Sequence, residues 1–198
     1  ITMIQPLSTL NGLGFFQLGG IEDSYINFST MGNLKLDYGL IVMDSINKYD
    51  NERKPMEVIL FFQKTAAPAD YLIMIIPVEI SSQNTSTSSF FHAFVPHLPE
   101  KESGKQYVAS DVGVQGLNLN NLIPAKPFLF YNAAFPLFYG CNDYYKTIIY
   151  NEPIQIKQSD YDSLKAIFGL YDSNELNTNE DASDLLHEDN YRKMHAVN

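Results

Sequence analysis

The chain has 198 residues, enough for one domain with a real core, and 45% of them are hydrophobic, including 13 Tyr and 13 Phe but no Trp. Such a composition excludes a disordered chain. A formal net charge of −10, with 13 basic against 23 acidic residues, repels phosphate backbones and anionic headgroups. The densest basic cluster, Lys48 to Lys54, is interrupted by Asp50 and Glu52, so nucleic acid is excluded as a partner.

In chain order, residues 1–30 mix apolar residues with turn formers such as Asn11-Gly12 and Gly19-Gly20, and are expected to form short strands and loops without a helix. Residues 33–43 (NLKLDYGLIVM) alternate at Leu34, Leu36 and Tyr38 and then become continuously apolar, as a strand does on passing from a half-exposed to a covered position. A polar connection over 44–54 leads to strands at Met56–Phe62 and Tyr71–Ile80, with a turn at Thr65–Asp70 between them. Adjacent strands with short links predict antiparallel pairing. The longest apolar run, Tyr71–Val78, is far short of the ~20 residues of a membrane helix, so it is read as a buried strand and no transmembrane segment is expected in this chain.

Ser81–Ser89 is polar and of low complexity, which predicts an exposed loop running into a helix start. Phe90, Phe91, Phe94, Val95 and Leu98 follow at helical spacing, with Pro96 keeping that helix short. Lys101–Gln106 reads as a solvated loop, and two prolines in LIPAKPFLFYN force extended structure. Thr147–Tyr150 and Glu152–Ile156 read as one strand interrupted at Pro153 and therefore near an edge. Ser159–Leu170 predicts a helix capped by Ser159, with Asp160 and Asp162 in its first turn and an apolar stripe of Tyr161, Leu164, Ile167 and Phe168. The acidic stretch Asp172–Asp189 lacks the glycine and closing glutamate of a calcium loop and reads as a solvated surface.

Three features, in order, resemble the alpha-class carbonic anhydrases. Lys54-Pro55-Met56-Glu57-Val58-Ile59-Leu60-Phe61 resembles the family's P-L-E-x-H-x-V-H segment. Leu122-Ile123-Pro124, an aromatic run, Cys141, and Thr147 through Pro153 to Ile156 with the helix after it resemble L-L-P, a tyrosine-rich strand, T-T-P-P-C and W-x-V-F-x-x-P-I-x-I. Asn190-Tyr191-Arg192, with Asn198 at the end, resembles N-Y-R-P-x-Q-P-L-N. The resemblance covers roughly residues 33–198; the family's opening Q-S-P-I-N-I is absent and residues 1–30 are divergent or truncated. It implies one domain over 1–198, mostly β with small helices, an α+β arrangement on a large twisted, mostly antiparallel sheet. Cys141, Pro153, Asn190 and Arg192 are its family-like structural positions.

The family's zinc is held by three histidines, an H-x-H pair on one strand and a third on the next, and the open fourth position lowers the pKa of bound water to ~7. Counted back from Glu57 without gaps, the pair falls on Leu40 and Val42 and the third ligand on Ile59, all aliphatic. The threonine-orienting glutamate of the family's S-E-H segment falls on Ile46, beside the matching Ser45, and the threonine on Leu137. Independently of any alignment, the sequence holds no histidine before His92. Glu57 is retained where the family uses it beneath a ligand histidine, and so it needs another partner.

His92 and His97, five apart on the expected helix, fall on different faces and read as surface or capping residues; His187 and His195 belong to the acidic end. Cys141 has no neighbouring histidine or basic cluster to activate it and reads as a small buried residue. Asn27-Phe28-Ser29 and Asn84-Thr85-Ser86 match the glycosylation acceptor pattern. Starting at Ile1 without a basic-then-apolar leader, the sequence is expected to have lost one or to be part of a longer protein.

The expectation is a carbonic-anhydrase-like pseudoenzyme with no zinc and no cofactor, kept as a scaffold that binds a protein partner. A virion component and an accessory subunit of a large assembly are its concrete forms, with the virion or cell surface, or an organellar complex, as the corresponding locations. The rival is an enzyme, either a metal-dependent carbonic anhydrase or another hydrolytic or lyase activity in the same cavity.

Overall fold

The computed structural model of the protein describes residues 2–4, 13–17, 25–28, 31–64, 71–98, 110–111, 117–133 and 145–168. In chain order these form β1 (Thr2–Ile4), β2 (Leu13–Gln17), β3 (Tyr25–Phe28), β4 (Gly32–Met43), β5 (Lys48–Tyr49), β6 (Glu52–Arg53), β7 (Met56–Lys64), β8 (Tyr71–Ile80), α1 (Ser86–Phe94), β9 (Ser110–Asp111), β10 (Phe128–Ala133), β11 (Tyr145–Tyr150), β12 (Ile154–Ile156) and α2 (Gln158–Phe168). One curled sheet of ten strands runs β10-β11-β8-β7-β4-β2-β1-β9, with β3 also on β4 and β12 also on β8; β5 and β6 form a separate small hairpin. The mostly β architecture expected from the sequence is present, as a mixed sheet. Neighbours β4, β7 and β8 are antiparallel, but β11 and β12 both run parallel to β8.

A β-bulge divides β4. Its pairing with β7 shifts between Leu36 and Tyr38, so Asp37 is an extra residue. One extra residue exchanges the faces of everything that follows. Leu34 and Leu36 before the bulge therefore share a core with Ile41 and Met43 after it, while Tyr38, Leu40 and Val42 point to the opposite face. The single stripe expected over Leu34, Leu36 and Tyr38 is corrected accordingly.

Pro77 sits inside the central strand β8, where a missing N–H should cost a ladder bond. Its neighbour strands resolve this. β11 pairs with β8 as far as Ile75, and β12 takes over at Val78, so the proline falls at the join, with Pro153 in the connection between the two strands. β11 lies between β10 and β8, which corrects the edge placement expected for Thr147–Tyr150. Of the two strands that flank Pro153, only β12 has a single strand partner among the described residues.

Both helices cover the face that carries Ile41, Val58, Leu60, Met74, Ile76 and Ile148. α1 begins inside the stretch expected to be loop. Thr85 and Ser88 form a reciprocal capping box, the Ser88 N–H donating to Thr85 Oγ1 at 3.1 Å and the Thr85 N–H to Ser88 Oγ at 2.8 Å. Thr87 is buried, and its hydroxyl donates to the Gln155 carbonyl and accepts from the Gln155 N–H, both at 3.1 Å, which ties α1 to β12. After Phe94 the chain tightens into a 3-10 turn over Val95–His97, where Pro96 cannot continue the α-helix. α2 starts at Gln158, one residue before the expected cap. Ser159 lies within the helix, its carbonyl accepting from Ser163 Oγ at 2.9 Å. Asp160, in the first turn as expected, is buried and its Oδ1 lies 3.1 Å from His92 Nδ1 on α1. Thr65–Asp70, Lys101–Gln106 and Asp172–Asp189 lie outside the described residues.

Candidate functional site

The face opposite the helices is built from one row of cross-strand neighbours. Reading across the sheet, Leu129, Ile149, Ile75, Ile59, Leu40 and Phe15 stand opposite one another in successive strands. Directly opposed side chains on one face have Cβ atoms ~5 Å apart, so Leu129, Ile149, Ile75, Ile59 and Leu40 make a continuous aliphatic contact. Val42, two residues from Leu40, shares that face in the next row, opposite Glu57. Leu40, Val42 and Ile59 thus converge in one cluster with Tyr49, Phe61, Ile73, Ile75 and Ile149, and Ile46 packs against its side. Their exposures are 2%, 5% and 0%, so all three are buried.

This face also carries a carboxylate, Glu57, which is completely buried. Its position depends on how the chain returns from β4 to β7. The Asp44 N–H donates to the Pro55 carbonyl and the Ser45 N–H to the Lys54 carbonyl, both at 2.9 Å, which zips the two arms together. Buried Ser45 reinforces the tie, its Oγ donating to the Asn47 carbonyl at 2.7 Å and accepting from the Lys54 N–H at 2.8 Å. At the tip, Asp50 and Asn51 have φ of 53° and 69°, the two consecutive left-handed residues that a tight two-residue hairpin needs.

This arrangement turns four donors onto one carboxylate. Glu57 Oε2 accepts from the Ile46 N–H at 3.0 Å, and Oε1 accepts from the Asn47 N–H at 3.2 Å, Asn47 Nδ2 at 3.0 Å and the Tyr49 hydroxyl at 2.6 Å. Burial pushes the carboxyl up from its ordinary 4.5, against these hydrogen bonds, which pull it down. Burial, followed by the adjacent Glu57 charge, drives the Tyr49 phenol well above its usual range. Oε1 thus takes three of the four donors and Oε2 one. Asn47 and Tyr49 were not singled out from the sequence. The count that aligns Ser45 and Ile46 with S-E-H puts Asn47 at the third place, which is the signal that could have found it.

On the same face Tyr38 stacks on Phe61, with ring centroids 4.4 Å apart and planes 16° from parallel; burial and Asp37 push its phenol up to about 12. Pro153 is half-buried in the connection from β11 to β12. Leu137, Cys141, Asn190 and Arg192 lie outside the described residues. Among the described residues, no three His, Cys, Asp or Glu side chains are grouped to hold a metal ion, and no helix is long and apolar enough to cross a membrane.

The sequence matches no protein-family model and no curated protein. Solved structures do match. The alpha-carbonic anhydrase of Thermovibrio ammonificans, in complex with sulfanilamide, superposes with a TM-score of 0.67 at 11% identity, over 86% of this chain and 67% of that one. The alpha-carbonic anhydrase of Photobacterium profundum gives 0.63 at 14% identity, over 85% and 70%. Dioscorin complexed with ascorbate gives 0.62 at 14%, over 87% and 70%. The chain therefore has the alpha-carbonic-anhydrase fold, a likeness carried by backbone geometry at these identities.

Proposed function

We propose that residues 1–198 form a single carbonic-anhydrase-like domain in which the hydration centre is closed, and that it serves as a protein-binding or structural module of a larger assembly. The observation that carries this reading is the packing of Leu40, Val42 and Ile59. These are the positions where the resemblance implies zinc ligands, and they are aliphatic, buried and packed in one cluster. Aliphatic side chains have no lone pair for a metal, and burying them is favourable where an empty polar pocket would be costly. Ile46 and Leu137, at the positions of the supporting glutamate and threonine, cannot orient a hydroxide either. Glu57 keeps its place but is occupied by Asn47, Tyr49 and two backbone amides.

Dioscorin, complexed with ascorbate, supports treating this fold as a scaffold whose ligand is not fixed. The charge of −10 favours a protein partner over a polyanion, with a virion component or an accessory subunit as its two forms.

The test is metal analysis and stopped-flow carbon dioxide hydration on the purified chain after equilibration with zinc and gel filtration. The expected result is well under one zinc per chain and hydration at the buffer rate. One tightly held zinc per chain, with catalysed hydration, overturns the reading.

A further inference from the structure

We draw no further inference here: the strongest candidate, the aromatic cluster of Phe28 on β3 with the exposed Phe128 and Phe130 on β10, is an apolar surface for which nothing in the structure shows what covers it.

Discussion

Glu57 shows how a carboxylate is held in an apolar face. Its four donors converge because Ser45 and the Asp50-Asn51 turn fold residues 44–55 back on themselves, so one carboxylate organises a whole connection. Tyr49→Phe removes the shortest of these bonds and should cost about 1–3 kcal/mol in urea unfolding, because a buried acceptor loses a donor. A cost below the error of the measurement would mean that the phenol does not hold the carboxylate. The pH dependence has a definite sign. Burial raises the folded pKa above the ordinary 4.5, so the stabilisation is fully present below that value and is lost as pH rises through the folded one. The stability of the wild type relative to Glu57→Gln should therefore fall between acid and neutral pH; a difference that grows with pH would show that the hydrogen bonds outweigh burial.

Among the elements, β4 depends on a single inserted residue. Asp37 exchanges the faces of the strand, and without it Leu40 and Val42 would turn toward the helices while Ile41 and Met43 turned away. Deleting Asp37 should abolish cooperative thermal unfolding, whereas Asp37→Ala, which keeps the count, should stay within about 0.5 kcal/mol of wild type. Equal behaviour of the two variants would remove the bulge from the account. The helices rest on shorter-range devices. Thr87→Val leaves both backbone groups of Gln155 without their hydroxyl partner and should destabilise by about 1–3 kcal/mol, while Ser89→Ala at the exposed side of α1 should be nearly neutral. Matched denaturation midpoints for these two would contradict the tie between α1 and β12.

For the molecule as a whole, the relation to the hydrating enzymes can be tested by putting ligands back. Leu40 and Ile59 stand opposite each other on adjacent strands and Val42 lies on the same face, so the triple variant Leu40→His, Val42→His, Ile59→His offers three imidazoles to one point. Without metal, three polar groups in an aliphatic cluster should lower Tm by many degrees. Zinc should raise Tm of the variant and leave the wild type unchanged, since a ligand bound only by the folded state stabilises it. Absence of any zinc-dependent shift in a folded variant would indicate that the three positions do not form a ligand triangle.

Much was legible in the sequence because it depends on residue type and local order. The apolar strands β4, β7 and β8 follow from hydrophobic periodicity, and the aliphatic Leu40, Val42 and Ile59 together with the absence of any histidine before His92 are matters of identity alone. What contacts decided lay beyond it. A bulge is invisible to a periodicity count, so the face of Tyr38 was misread. Thr87, in a stretch that reads as an exposed loop, is buried against Gln155, and Asp160 is buried beside His92, each partner 68 residues away. The four donors on Glu57 are supplied by a turn whose shape is set by positive φ angles and backbone hydrogen bonds, and the sheltering of Leu40, Val42 and Ile59 by their neighbours in space. Residue type limits which chemistry is possible at a position, while the buried environment that makes a carboxylate costly or an aliphatic cluster favourable exists only once distant segments pack together.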